Sequence, residues 1–159
     1  MEYKEIDYII NSQIKFTKTN SNSVNYRIQI LNSLLKTISK NEFKIYNALK
    51  KDLNKHEFES FLSEVLLVKQ EIKLFTKKLK RWSRKKRVGG SIFNIPSKNY
   101  IIPEPYGNTL IITHWNYPFQ LSLTPLIGAV AAGNTVVIKP SELAPNTSSV
   151  LRELIETVF

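Results

Sequence analysis

Cysteine is absent from these 159 residues, and that gap removes three chemistries at once. No disulfide framework, no thiolate metal site and no cysteine nucleophile can be built from them. Histidine occurs twice, as His56 and His114, without ligand-like spacing, so no metal site is expected. Glycine is held to 5 residues and proline to 7, which argues against a disordered or low-complexity chain. Long apolar runs are missing as well. The best candidate, Leu121 to Val137, is interrupted by Pro125, Gly128, Gly133 and Asn134, and no membrane association is expected. The opening residues Met1 to Glu5 lack the basic-then-apolar order of a secretory signal, so a cytoplasmic location is expected.

What remains is a composition suited to packing, with 42% hydrophobic and 11% aromatic residues in a length typical of one ordinary domain. Charge is the loudest feature. The formal net value of +10 is unevenly spread, with eight basic residues and no acid between Lys77 and Arg87. Such a block suits phosphates, an anionic membrane, or an acidic partner or nucleic acid, as in a basic binding or oligomerising module. The ordinary reading is the solvated end of an amphipathic helix, with no specific nucleic-acid partner.

Up to Val88 the periodicity is helical. Ile28, Leu31, Leu35 and Ile38 form one stripe; Phe43, Tyr46, Leu49 and Leu53 form another, behind Asn41 as N-cap. From Glu57 to Arg87 the stripe is Phe58, Phe61, Val65, Val68, Ile72, Phe75, Leu79 and Trp82. A continuous helix there would be about 45 Å long, with Gly89 and Gly90 as its stop.

Beyond Gly90 the pattern changes. The apolar clusters Ile92-Phe93-Ile95 and Tyr100-Ile101-Ile102 suggest two extended segments joined by a turn. Thr109–Thr113 and Thr135–Lys139 read as strands buried on both faces, Phe119–Ala132 as the helix between them, and Asn146 as the cap of a final helix. The expected class is α/β: a helical region over 1–88, an extended hairpin over 89–106, and over 107–159 the first βαβα part of an incomplete, Rossmann-like parallel sheet.

In open α/β sheets ligands sit beyond the carboxyl ends of the strands. Two stretches have that address: Thr113 to Pro118 after the first strand, and Lys139 to Glu142 after the second. An acid in the second place suits ribose hydroxyls, with a nearby Lys as donor. The first turn has no G-x-G-x-x-G, so the usual pyrophosphate fingerprint is missing. Asn116 has two readings: an amide donating to an oxygen that gains negative charge, or an Asn satisfying its own turn.

Two long motifs resemble the aldehyde dehydrogenase superfamily. They are PEPYGNTLIITHWNYPFQ over 103–120 and PLIGAVAAGNTVVIKPSE over 125–142, with APNT following. Trp115-Asn116-Tyr117-Pro118-Phe119 is most similar to the branch holding the class 3 and fatty-aldehyde enzymes. The resemblance implies oxidation of an aldehyde to a carboxylic acid with NAD or NADP. It implies that Asn116 is the oxyanion donor, that Lys139 and Glu142 meet the adenosine ribose, and that Trp115 and the backbone near Thr113 line the cofactor cleft. Pro118 would shape the turn, Gly128 would allow close packing, and Gly133 would give a tight exit. Glu142 slightly favours NAD, because its charge would repel a 2′-phosphate. His114 departs from the small residue or proline often found before Trp-Asn, and reads as a structural surface or cleft-wall residue.

The family takes its nucleophilic Cys and general-base Glu from later sequence. The resemblance is therefore to the N-terminal portion only, with the catalytic domain absent, and the isolated chain is expected to be inactive. Bare strand edges should make it aggregate, or dock on a homo-oligomer or full-length homologue.

Overall fold

A computed structural model describes residues 3–19 and 22–159. Four helical elements come first: α1 (Tyr3–Thr19), α2 (Val24–Lys40), α3 (Glu42–Leu53) and the short α4 (Glu57–Ser60). A π-helical turn over Phe61–Val65 then runs without a break into α5 (Leu66–Trp82). Next come β1 (Lys86–Val88), a 3₁₀ turn at Ile92–Asn94 and β2 (Asn99–Ile101). The chain closes with β3 (Asn108–Ile112), α6 (Pro118–Ala132), β4 (Thr135–Lys139) and α7 (Pro145–Val158).

The core lies between the two halves of the sequence. Leu31, Leu34 and Ile38 of α2 meet Ile45 and Leu49 of α3, Val68 and Ile72 of α5, Phe119, Leu123 and Ile127 of α6, and Leu151 and Leu154 of α7. Helix α2 packs on α5, α6 and α7, while α3 packs on α7. The helical region is thus the outer layer over the helices of the α/β unit. Its stripes run slightly off the expected register. In α3 the buried face is Ile45, Ala48 and Leu49, while Phe43 is exposed. Small and aliphatic side chains bring α3 close to α7, and the aromatic ring is left at the rim. Phe58 is exposed too, at the start of the helix before the π-turn rephases the stripe. Asn41 takes the N-cap position of α3 but turns its side chain back, donating to Thr37 O at 2.8 Å.

The long helix ends at Trp82, whose ring meets Phe75 edge-to-face at 5.2 Å, and not at Arg87. Gly89 and Gly90 are therefore not its stop. Lys86–Val88 leaves the basic stretch as a strand, pairing antiparallel with β2 in the register Arg87↔Tyr100. Like charges crowd the last helical turns, and the extended backbone spaces Lys86 and Arg87 onto opposite faces. The first extended segment is accordingly Lys86–Val88, and Ile92–Asn94 forms a turn inside the ribbon.

Strands β3 and β4 are parallel, with Leu110 opposite Val137 and Ile112 opposite Lys139. Helix α6 crosses between them, entered through the buried Pro118 at its first turn and left through Gly133 at φ 98°, a left-handed cap that suits glycine. A Cβ at Gly128 would meet nothing within 4 Å, so close packing does not require that glycine here. Burial on both faces is not observed for β3. Ile111 packs inward, whereas Leu110 and Ile112 are 63% and 70% exposed. Among the described residues α6 gives the sheet its main cover, with α1 touching β3, and the alternate residues Leu110 and Ile112 stay bare. Helix α7 is capped at Ala144, not Asn146, and a carboxylate from α3 takes over the capping.

Candidate functional site

The parallel register brings the two suspected turns to one end of the sheet. One rung past β3, Thr113 N donates to Lys139 O at 3.1 Å, so the Thr113–Pro118 turn and the Lys139–Glu142 turn leave adjacent strands side by side. The Thr113 hydroxyl pairs with that of the buried Ser122 at 3.2 Å, tying the turn to α6.

Within the first turn, Asn116 is exposed and its amide is oriented. Its Oδ1 accepts from Tyr117 N at 3.1 Å and lies 3.0 Å from His114 Nδ1, which donates when protonated there. With Oδ1 engaged, the donor capacity of the amide rests on Nδ2. One end of the amide thus satisfies its own turn, the second of the two readings of Asn116. The imidazole of His114, read from sequence as a structural wall, is with Tyr117 N one of two partners of that oxygen. Trp115 is 43% exposed and leans on the His114 ring at 5.6 Å.

In the second turn Lys139 Nζ donates to Glu142 Oε1, and both side chains are exposed. The ammonium beside it, helped by a backbone N–H, holds the Glu142 carboxyl below the usual carboxylate range. A cationic donor next to a carboxylate acceptor matches the paired hydroxyls of a ribose, so this edge fits a nucleotide cofactor in the chemistry of its donor set.

Sequence reasoning missed what lies beneath the first turn. Lys55 and Glu64 are 8% and 0% exposed and form an ion pair at 2.5 Å. Lys55 Nζ also donates to Asn116 O at 2.9 Å and sits 4.0 Å from the Tyr117 ring centroid. Glu64 Oε2 accepts from Phe119 N at 2.9 Å and Gln120 N at 3.2 Å, the opening amides of α6. The start of α6, electropositive as helix N-termini are, is thus answered by the protein's own carboxylate. One signal was available: Glu64 falls three residues after Phe61 and four before Val68, an acid on an apolar stripe. Nothing comparable marked Lys55. The basic block is mostly exposed, with Lys85 Nζ 4.9 Å from the Tyr100 ring centroid. Among the described residues no helix is long and apolar enough to cross a membrane.

Polar groups gathered where parallel strands end, on a βαβα unit backed by helices, stand at the address where open α/β sheets hold their ligands, and the fold is of the α/β class. The chain belongs to the aldehyde dehydrogenase family, matched over residues 2–158. It is 42% identical over 149 residues, 94% of its length, to the 4,4'-diaponeurosporen-aldehyde dehydrogenase of Staphylococcus aureus (strain NCTC 8325 / PS 47), covering 32% of that protein. It is 43% identical over 139 residues, 87% of its length, to the chloroplastic aldehyde dehydrogenase family 3 member I1 of Arabidopsis thaliana, covering 25% of it. The chain thus spans about a third or less of the curated relatives it matches. A structure of the substrate-bound state of Staphylococcus aureus AldH aligns with 100% of this chain and 34% of its own, at TM-score 0.93 and 41% identity. Succinic semialdehyde dehydrogenase from Streptococcus pyogenes, in complex with NADP+, aligns with 99% of this chain and 34% of its own at TM-score 0.87. At 16% identity that likeness shows the fold alone. The architecture is that of the N-terminal part of the aldehyde dehydrogenase fold.

Proposed function

We propose that this chain contributes the oxyanion-donating turn and the ribose-binding edge of an NAD(P)-dependent enzyme that oxidises an aldehyde to a carboxylic acid. The observation that carries the reading is the Thr113 N to Lys139 O bond, which ties the Asn116 turn to the Lys139–Glu142 turn. Asn116 Nδ2 donates to the aldehyde oxygen as a nucleophile adds and negative charge grows there, where a preset donor is most effective. Lys139 and Glu142 hold the adenosine ribose, and Trp115 with the Thr113 backbone walls the cleft. The bound dinucleotide supplies the hydride acceptor. The ionised Glu142 tilts the preference to NAD by repelling a 2′-phosphate.

On this reading a cysteine nucleophile is not among these 159 residues, which contain no Cys, and the 159-residue chain assayed alone is expected to show no turnover. The ribbon of β1 and β2, with Ile101 59% and Phe93 93% exposed, is read as an oligomer contact with a second chain of the family. The test is a hybrid in which residues 1–159 replace the matching portion of the Staphylococcus aureus relative. Asn116→Ala in that hybrid lowers kcat by about 10²- to 10³-fold, with little change in the aldehyde KM. An unchanged kcat refutes the oxyanion role.

A further inference from the structure

We infer that Lys55 and Glu64 are positioning residues for the reaction, a buried ion pair that sets the direction in which the Asn116 amide is presented. The inference rests on the oxyanion reading of Asn116 and adds the device that aims it.

Stability alone is a poor reason to bury such a pair, because apolar side chains of similar volume usually stabilise a core at least as well. What distinguishes this pair is where its remaining bonding capacity goes. Lys55 Nζ grips the Asn116 carbonyl at 2.9 Å and faces the Tyr117 ring at 4.0 Å. Glu64 takes the amides of Phe119 and Gln120. The pair therefore holds the turn on both sides of Tyr117 and Pro118, from the Asn116 carbonyl to the first turn of α6. With that carbonyl fixed and Oδ1 bound to Tyr117 N and beside His114 Nδ1, the Asn116 side chain has little freedom left and its donor end, Nδ2, is held with it.

Two further observations agree. Glu64 lies in the π-turn Phe61–Val65, an irregularity that shifts side-chain phase and recurs at functional sites. Glu64 also occupies two of the opening amides of α6, so the helix start is not free to hold an anion and the task of donating falls to Asn116 Nδ2. The two bonds from Lys55 and Glu64 to the turn span 61 and 55 residues of sequence, so docking of the helical region is what sets the turn.

The experiment uses the isosteric pair Lys55→Met with Glu64→Gln, which removes both charges together and leaves neither one buried alone. In the hybrid enzyme, amide exchange followed by mass spectrometry should show faster exchange over residues 116–121, with the α2 and α3 core unchanged. In the hybrid enzyme kcat should fall by about ten- to a hundredfold, the cost of a small misplacement, while KM stays near the parent. In an Asn116→Ala background the same pair should cost almost nothing more, because the group being aimed is gone. If the double variant fails to fold, Lys55→Arg and Glu64→Asp keep the charges but shift them, and should lower kcat in a folded protein. Parental kcat in the pair variants, or losses that multiply fully with Asn116→Ala, overturns the inference alone. No kcat loss in Asn116→Ala overturns the oxyanion reading and this inference with it.

Discussion

Asp52, at the end of α3, offers a quantitative test of how the two halves are joined. Its Oδ1 accepts from Asn146 N at 3.1 Å and Asn146 Nδ2 at 2.7 Å. Its Oδ2 accepts from Thr147 N and Thr147 Oγ1, each at 2.7 Å. Asp52→Ala removes an N-terminal cap, worth about 0.5–2 kcal/mol. It also leaves the fully buried Thr147 without that acceptor, at about 1–3 kcal/mol. The two costs overlap, and the half-buried carboxylate is partly screened, so the expected loss is about 2–3 kcal/mol. Urea unfolding of the chain in a Leu110→Lys, Ile112→Lys background that suppresses self-association, followed by circular dichroism and tryptophan fluorescence together, reads it. With a slope of about 2 kcal/mol per molar, the midpoint should drop by roughly 1 M.

The pH dependence supplies a sign. Burial pushes the Asp52 carboxyl up, but the four donors outweigh burial and leave it below its ordinary value. Its stabilisation is therefore complete above the unfolded carboxyl value, about 3.9, and fades as pH falls through the lower folded value. The gap between parent and Asp52→Asn should be constant through neutral pH and close in acid below about pH 4. Equal midpoints for parent and Asp52→Ala, or a gap that widens in acid, would refute the capping argument.

Glu142→Gln in the hybrid should weaken NAD+ binding by about three- to tenfold and narrow the preference over NADP+, measured by titration calorimetry. That preference should hold through neutral pH, because Glu142 sits below the usual carboxylate range; stronger discrimination against NADP+ in the variant would contradict the ribose role. The bare residues Leu110 and Ile112 should make the 159-residue chain self-associate, and Leu110→Lys with Ile112→Lys should shift it toward monomer in light scattering after size exclusion. A parent chain that stays monomeric at high concentration removes that argument.

The α/β half was readable because strand–helix–strand spacing is local: Thr135–Lys139 was expected and observed residue for residue, and α6 differs only by starting at Pro118. The helical half was readable as helices, less so in its faces and ends. Periodicity does not report which neighbour an element meets, so it favoured Phe43 and Phe58, which stay at the surface. It also carried the long helix to Arg87, over Lys86 and Arg87, where pairing with β2 decides the backbone. At the candidate site, Asn116, Lys139 and Glu142 stood out because they follow strands. Asp52 and Lys55 did not, because their partners lie 94 and 61 residues away and a long-range hydrogen bond leaves no local spacing to detect.

Both helices of the α/β unit begin on carboxylates borrowed from elsewhere, α7 on Asp52 and α6 on Glu64. Recombining this chain with a relative is consequently constrained by where the splice falls. A junction in the ribbon at 89–106, attractive because it is exposed and avoids the core, would separate each helix from the acid that starts it. A graft made there must carry Asp52, Lys55 and Glu64 as a set, or find their equivalents in the recipient.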